Sequence, residues 1–109
     1  MELNEYQKFA MKTAVFPENE KYYYTVLGLV GEAGEIANKV KKFIRDGHDE
    51  EELVEKINEV NDELGDVLWY VAAVAQAFGT NLESVAKNNL WKLAERQRNN
   101  TLHGSGDKR

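Results

Sequence analysis

The chain reads as all-α: four helices in a bundle-like arrangement, completed by association with further copies. Three observations carry this reading. There is a single proline, Pro17, in 109 residues. No segment sustains the alternation of apolar and polar residues that a half-buried strand requires. Apolar residues instead recur every three to four positions over long stretches, the period of a helix with one buried face.

The first helix is expected over residues 4–15, with Asn4 as N-cap and Gln7 three positions on. Tyr6, Phe9, Ala10 and Thr13 form its inward side, and Phe16-Pro17-Glu18-Asn19 is a turn. The second helix is expected over residues 20–45, with Asp46-Gly47 as its stop. Its apolar stripe is Tyr23, Val26, Leu27, Val30, Ala33, Ala37, Val40 and Phe43/Ile44. The third has the best start signal, a capping box of Asp49 with Glu52, and ends at Phe78-Gly79. Its stripe is Leu53, Ile57, Val60, Leu64, Val67, Leu68, Val71 and Val74/Ala75. The fourth opens on a Thr80/Glu83 box, carries Leu82, Val85, Ala86, Leu90, Leu93 and Ala94, and fades near Arg98. This makes one domain over residues 1–98 and a polar, glycine-containing tail over residues 99–109, expected to be mobile without ligand. A third helix of roughly 30 residues is about 45 Å long. So short a chain does not cover that much apolar surface alone, so a homodimer or homotetramer is expected.

Composition narrows the function. A net charge of −5 argues against a nucleic-acid duplex or an anionic membrane as partner. No run of 18 apolar residues is present to span a bilayer, and no basic head with an apolar stretch marks a secretory signal. The absence of cysteine excludes disulfides and thiolate-held metals. A cytoplasmic protein is expected.

Two short acidic words recur 31 positions apart, Glu32-Ala33-Gly34-Glu35 and Glu63-Leu64-Gly65-Asp66. Acids at i and i+3 share a helix face. Glu32 lies between Leu29 and Ile36, and Glu63 between Val60 and Val67, where an apolar stripe calls for a core residue. Two helices joined through these faces gather four carboxylates, which repel one another and resist burial unless a cation joins them. No histidine follows a Glu at i+3, so the Glu-x-x-His pairs of carboxylate iron bundles are absent. An all-oxygen set favours Mg²⁺ or Mn²⁺, and Mg²⁺ is commonly shared with substrate phosphates. Gly28, Gly31 and Gly34 at spacing three, with Gly65, imply the close approach of a helix or a ligand.

Asn89, Lys92 and Arg96 follow one line on the fourth helix and offer donors to phosphate oxygens. The bland reading is a solvated basic edge. Lys39, one turn beyond Glu35, reaches the same anion or pairs with Glu35. Trp69 and Tyr70 follow the second acidic word, and Tyr22-Tyr23-Tyr24 open the second helix. Each can stack on a base or simply pack.

Gly28-Leu29-Val30-Gly31-Glu32-Ala33-Gly34-Glu35-Ile36-Ala37 and Glu63-Leu64-Gly65-Asp66-Val67-Leu68-Trp69-Tyr70 resemble the two halves of the MazG-like nucleotide pyrophosphohydrolase signature, E-x-x-E, a spacer, then E-x-x-D. The spacer here is 27 residues. Leu82 to Ala86 with Asn89 to Leu93 resembles the helix that closes the family's site. The resemblance implies an all-α fold and hydrolysis of a nucleoside triphosphate to its monophosphate and pyrophosphate. Glu32, Glu35, Glu63 and Asp66 would hold Mg²⁺, and Asn89 and Lys92 would orient phosphates. It also implies dimers or tetramers with sites near subunit contacts. One position departs: several relatives carry a Glu directly before the first motif acid, a candidate for activating water, and here it is Gly31. The base is therefore unassigned. The ending, Leu102 to Arg109, resembles that of some small MazG-like proteins and would fold over a bound nucleotide. Two alternatives stand beside this: phosphoribosyl-ATP pyrophosphohydrolase, a relative with similar helices, and a helical interaction module that keeps the acids without turnover.

Overall fold

A computed structural model describes residues 1–107. Lys108 and Arg109, the end of the expected tail, lie outside the described residues. Four α-helices follow in order: α1 (Leu3–Met11), α2 (Lys21–Asp46), α3 (Glu50–Ala77) and α4 (Leu82–Arg98), with a single 3₁₀ turn at Glu18–Glu20 before α2. No strand occurs among the described residues. Among the described residues no helix is long and apolar enough to cross a membrane.

α2 and α3 form an antiparallel hairpin closed by three residues. Gly47 takes φ +68° at the end of α2, and Asp49 caps α3 by accepting the Glu52 N–H at 2.8 Å. Contacts across the hairpin fix its register. Tyr22 meets Phe78 with ring centroids 5.0 Å apart, and the Lys56 ammonium lies 4.4 Å from the Phe43 ring centre. Between them, Gly28 faces Tyr70 so closely that an added Cβ would lie 2.0 Å from Tyr70 Cε1. A Cβ added at Gly31, Gly34 or Gly65 would meet nothing within 4 Å beyond its own stretch of helix.

α1 lies across the C-terminal half of α3. The Trp69 indole N–H is held by Thr13 Oγ1 at 2.8 Å and the Ala10 carbonyl at 3.2 Å. A small core of Ala72, Ala75 and Leu82, with Tyr6, Met11 and Val71 against it, ties α1, α3 and α4 together.

Three local expectations are corrected. Glu2, not Asn4, caps α1, in a reciprocal box with Glu5. The helix stops at Met11 rather than near Val15, because Lys12, Thr13 and Ala14 bond three residues back and tighten the last turn. Thr80 does not start α4: its N–H reaches the Ala75 carbonyl at 2.8 Å and that of Gly79 reaches Gln76 at 3.2 Å, a Schellman ending for α3 with Gly79 at φ +78°. Asn81 is the cap instead, accepting the Ser84 N–H at 2.9 Å.

The expected stripe of α2 also sits elsewhere. Thr25 is buried, and Leu29, Glu32, Ile36, Lys39 and Phe43 are half-buried, at the spacing of one helix face. Tyr23, Leu27, Val30 and Ile44, read as inward, are among the most exposed large side chains, Ile44 at 82%. α2 is apolar on two sides, and α3 covers one of them. Phe9 on α1, Leu53, Ile57 and Leu64 on α3, and Leu90 on α4 are likewise exposed.

Candidate metal centre

The hairpin register puts the two acidic words side by side at mid-length. Carboxylate oxygens of Glu32 from α2 and of Glu63 and Asp66 from α3 all lie within 4.8 Å of one another. Glu32 and Glu63 are half-buried and Asp66 is exposed. Glu35 is exposed and stands outside this group of three. It lines a shallow groove of about 270 Å³ with Asn38, Lys39, Lys56 and Glu59.

Glu63 is the most constrained of the three. Its Oε1 is 3.6 Å from the Lys39 ammonium. Its Oε2 is buried with no hydrogen-bond partner among the described residues. An ionised oxygen in that state is costly. The Glu32 carboxyl is held above its ordinary range, first by burial, then by the hydrogen bond its protonated form makes to Glu63, and by the charges of Asp66, Glu63 and Glu35. Three carboxylates against one lysine leave two negative charges unmatched. The donor set is all oxygen. A hard divalent cation fits both the charge and the chemistry.

Tyr70 lies one turn beyond Asp66. Its phenol is pushed up by burial, by the Tyr24 hydroxyl hydrogen-bonded to it, and by the charges of Glu32 and Asp66. Trp69 packs edge-on against Tyr70 and Phe16 with its N–H already engaged, so its placement is that of a packing residue. Phe16 stacks on Tyr24 at 5.2 Å.

α4 packs on α1 and α3 and makes no close backbone approach to α2. Asn89 is exposed, Lys92 half-buried and Arg96 buried. This fold of a single chain does not carry their helix to Glu32. Sequence reading missed one participant here. Asp107 meets Lys92 Nζ at 3.3 Å and Arg96 Nη2 at 3.4 Å. Its spacing of 11 to 15 residues from them, across a turn, matches no local pattern.

Comparisons with known proteins find relatives along the chain. The gene 37 protein of Mycobacterium phage L5 is 44% identical over 115 aligned residues, spanning all of both chains. The uncharacterized protein YvdC of Bacillus subtilis (strain 168) is 39% identical over 72 residues, covering 62% of this chain and 68% of that protein. No solved structure matches significantly. The profile of the MazG nucleotide pyrophosphohydrolase domain matches residues 20–101, from the turn before α2 to just past α4. With both acidic words inside that span, the chain belongs to the MazG nucleotide pyrophosphohydrolase family.

Proposed function

We propose that the chain hydrolyses a nucleoside triphosphate to the monophosphate and pyrophosphate with Mg²⁺, or Mn²⁺ in its place, and clears surplus or non-standard nucleotides from a cytoplasmic pool. The observation that carries this is the buried, partnerless Oε2 of Glu63 inside a three-carboxylate cluster. A half-buried carboxyl group with one oxygen left without a partner costs stability unless a ligand completes it.

In this reading Glu32, Glu63 and Asp66 would hold the cation, with Glu35, one turn from Glu32 on α2, as a fourth ligand. When bound, the cation neutralises charge on the phosphates and eases deprotonation of the attacking water. Lys39, beside Glu63 at 3.6 Å, would offer its ammonium to the phosphates. With Gly31 in place of an extra acid and the four motif carboxylates assigned to the cation, no side chain is assigned as base, and lowering of the water's pKa would fall to the bound cation. Tyr70 offers a face to the base.

Asn89, Lys92 and Arg96 complete the phosphate side in a homodimer or homotetramer, in which the α4 of one copy faces the acids of another. The uncovered apolar side of α2, with Leu27 at 71% and Val30 at 66% exposure, supplies the surface for it.

The test is pyrophosphate release from a panel of nucleoside triphosphates with Mg²⁺, for the unmodified chain and Glu63→Ala. Release is expected from the first and a loss of at least a hundredfold in the second. No release from any nucleotide overturns the enzymatic reading in favour of an interaction module. Release that survives Glu63→Ala overturns the site.

A further inference from the structure

Arg96 is the one charged residue that is buried among the described residues, at 7% exposure. Its guanidinium does not point into a core acid. Nη2 donates to the Asp107 carbonyl at 3.1 Å and to Asp107 Oδ1 at 3.4 Å, and Lys92 Nζ, one turn away, donates to the same Oδ1 at 3.3 Å. Asp107 itself is 85% exposed. One carboxylate oxygen thus sits at the meeting point of two converging cations and is reached freely from solvent.

The backbone is built to bring it there. α4 ends in a Schellman turn: Thr101 N–H bonds the Arg96 carbonyl at 2.7 Å, Asn100 N–H bonds Gln97 at 3.2 Å, and Asn100 takes φ +56°. The Gly104 N–H then closes a turn onto Thr101 at 3.0 Å. Gly106, at φ +80°, adopts a conformation that L side chains rarely take, directly before Asp107. Two left-handed residues reverse the chain so that it runs back along the helix it has just left. Lys92 and Arg96 hold Asp107 well below the usual carboxylate range.

We propose that Lys92 and Arg96 form a site for a polyphosphate anion, and that Asp107 fills it as an intramolecular stand-in that the incoming polyphosphate displaces. This rests on the reading of Lys92 and Arg96 as phosphate contacts. A solvent-exposed carboxylate pair is weak and screened by salt. A polyphosphate brings more charge and more acceptor oxygens, and guanidinium suits phosphate well. A short tether nevertheless keeps the carboxylate at an effective concentration in the millimolar range. The tail therefore sets a threshold below which stray anions do not take the site, and it opens for a ligand of higher charge.

The probe is inorganic pyrophosphate in EDTA, so that no cation recruits it to the acids, titrated calorimetrically into the full chain. Asp107→Asn is expected to bind it roughly three- to tenfold more tightly than the unmodified chain, and the difference to shrink at high salt. Lys92→Ala in the Asp107→Asn background is expected to remove the binding. Arg96 is left intact because it is buried; Asp107 is exposed and Lys92 half-buried, and an unchanged circular-dichroism spectrum and melting temperature of each variant show that the fold is kept. If pyrophosphate binds the unmodified chain and Asp107→Asn equally, and Lys92→Ala weakens it, the stand-in is overturned and the anion site survives. If no binding depends on Lys92, the anion site itself is overturned. Neither result touches the hydrolysis assay on Glu63.

Discussion

The side-chain carbonyl of Gln7 accepts the backbone N–H of Leu82 at 2.8 Å, across 75 positions of sequence. Its amide nitrogen at the same time donates to Gln76 Oε1 at 3.1 Å and to the Thr80 carbonyl at 3.3 Å. Asn4 Oδ1 takes the Glu83 N–H at 3.0 Å. With Asn81 accepting from Ser84, the first three N–H groups of α4 are held by three different amide side chains, two of them on α1. α1 thus supplies much of the N-terminal cap of a helix far along the chain, a task that cap residues within one helix usually perform.

Removing Gln7 strands a buried N–H. Gln7→Ala is expected to lower stability by about 1–3 kcal/mol, with Asn4→Ala nearer 1 kcal/mol, in urea unfolding followed by circular dichroism. Equal, near-zero losses for both would show that water caps α4 just as well.

Gly28 and Gly31 are expected to respond oppositely to alanine. At Gly28 the new Cβ collides with the Tyr70 ring, and a rigid aromatic cannot simply bend aside. Gly28→Ala is expected to cost about 1–3 kcal/mol, and pairing it with Tyr70→Leu should recover part of that. At Gly31 the space is open in the single chain. There alanine gains up to about 1 kcal/mol from helix propensity. A loss at Gly31 in its place would place a helix of another copy against α2.

Divalent cations should stabilise the fold itself. Mg²⁺ or Mn²⁺ is expected to raise the melting temperature of the unmodified chain and leave Glu63→Gln unmoved, since linkage makes binding free energy appear as stability. Without metal, Glu63→Gln should melt higher than the unmodified chain, because it removes one of three crowded charges and gives Glu32 a donor. A destabilised Glu63→Gln that still responds to metal would count against the cluster.

The pH dependence has a definite sign. Glu32 has its folded value raised above 4.5, so its contribution to stability is fully present below the unfolded value and is lost as pH rises through the raised one. A cation must displace that proton to bind. The metal-induced shift is therefore expected to be larger at pH 8 than at pH 5, in parallel thermal scans. A shift independent of pH would place the cation elsewhere.

Self-association is tested at Leu27. Leu27→Glu adds a charge to an open helix face and removes no contact from this chain's own core. It is expected to weaken association at least tenfold in sedimentation equilibrium while leaving the helical signal intact. An unmodified chain that sediments as a monomer at every concentration overturns the proposed homo-oligomer.

Periodicity, caps and the matched acidic words by themselves determined the all-α class, the four helices, the Asp49 start of α3 and the expectation that the two acidic words meet. These are local signals: a capping aspartate, or an acid where a stripe calls for an apolar residue, acts within a turn or two of itself. The tertiary structure alone decided which side of α2 meets α3, because a helix apolar on two sides offers both and packing selects one. It alone assigned Asn4 and Gln7 to α4, since an amide serves whichever orphan N–H the fold brings within 3 Å. It set Glu35 apart from its three companions, because the hairpin register fixes which carboxylates converge. It also brought Asp107 back to Lys92 and Arg96, a contact that depends on two left-handed residues whose joint geometry no helical spacing encodes.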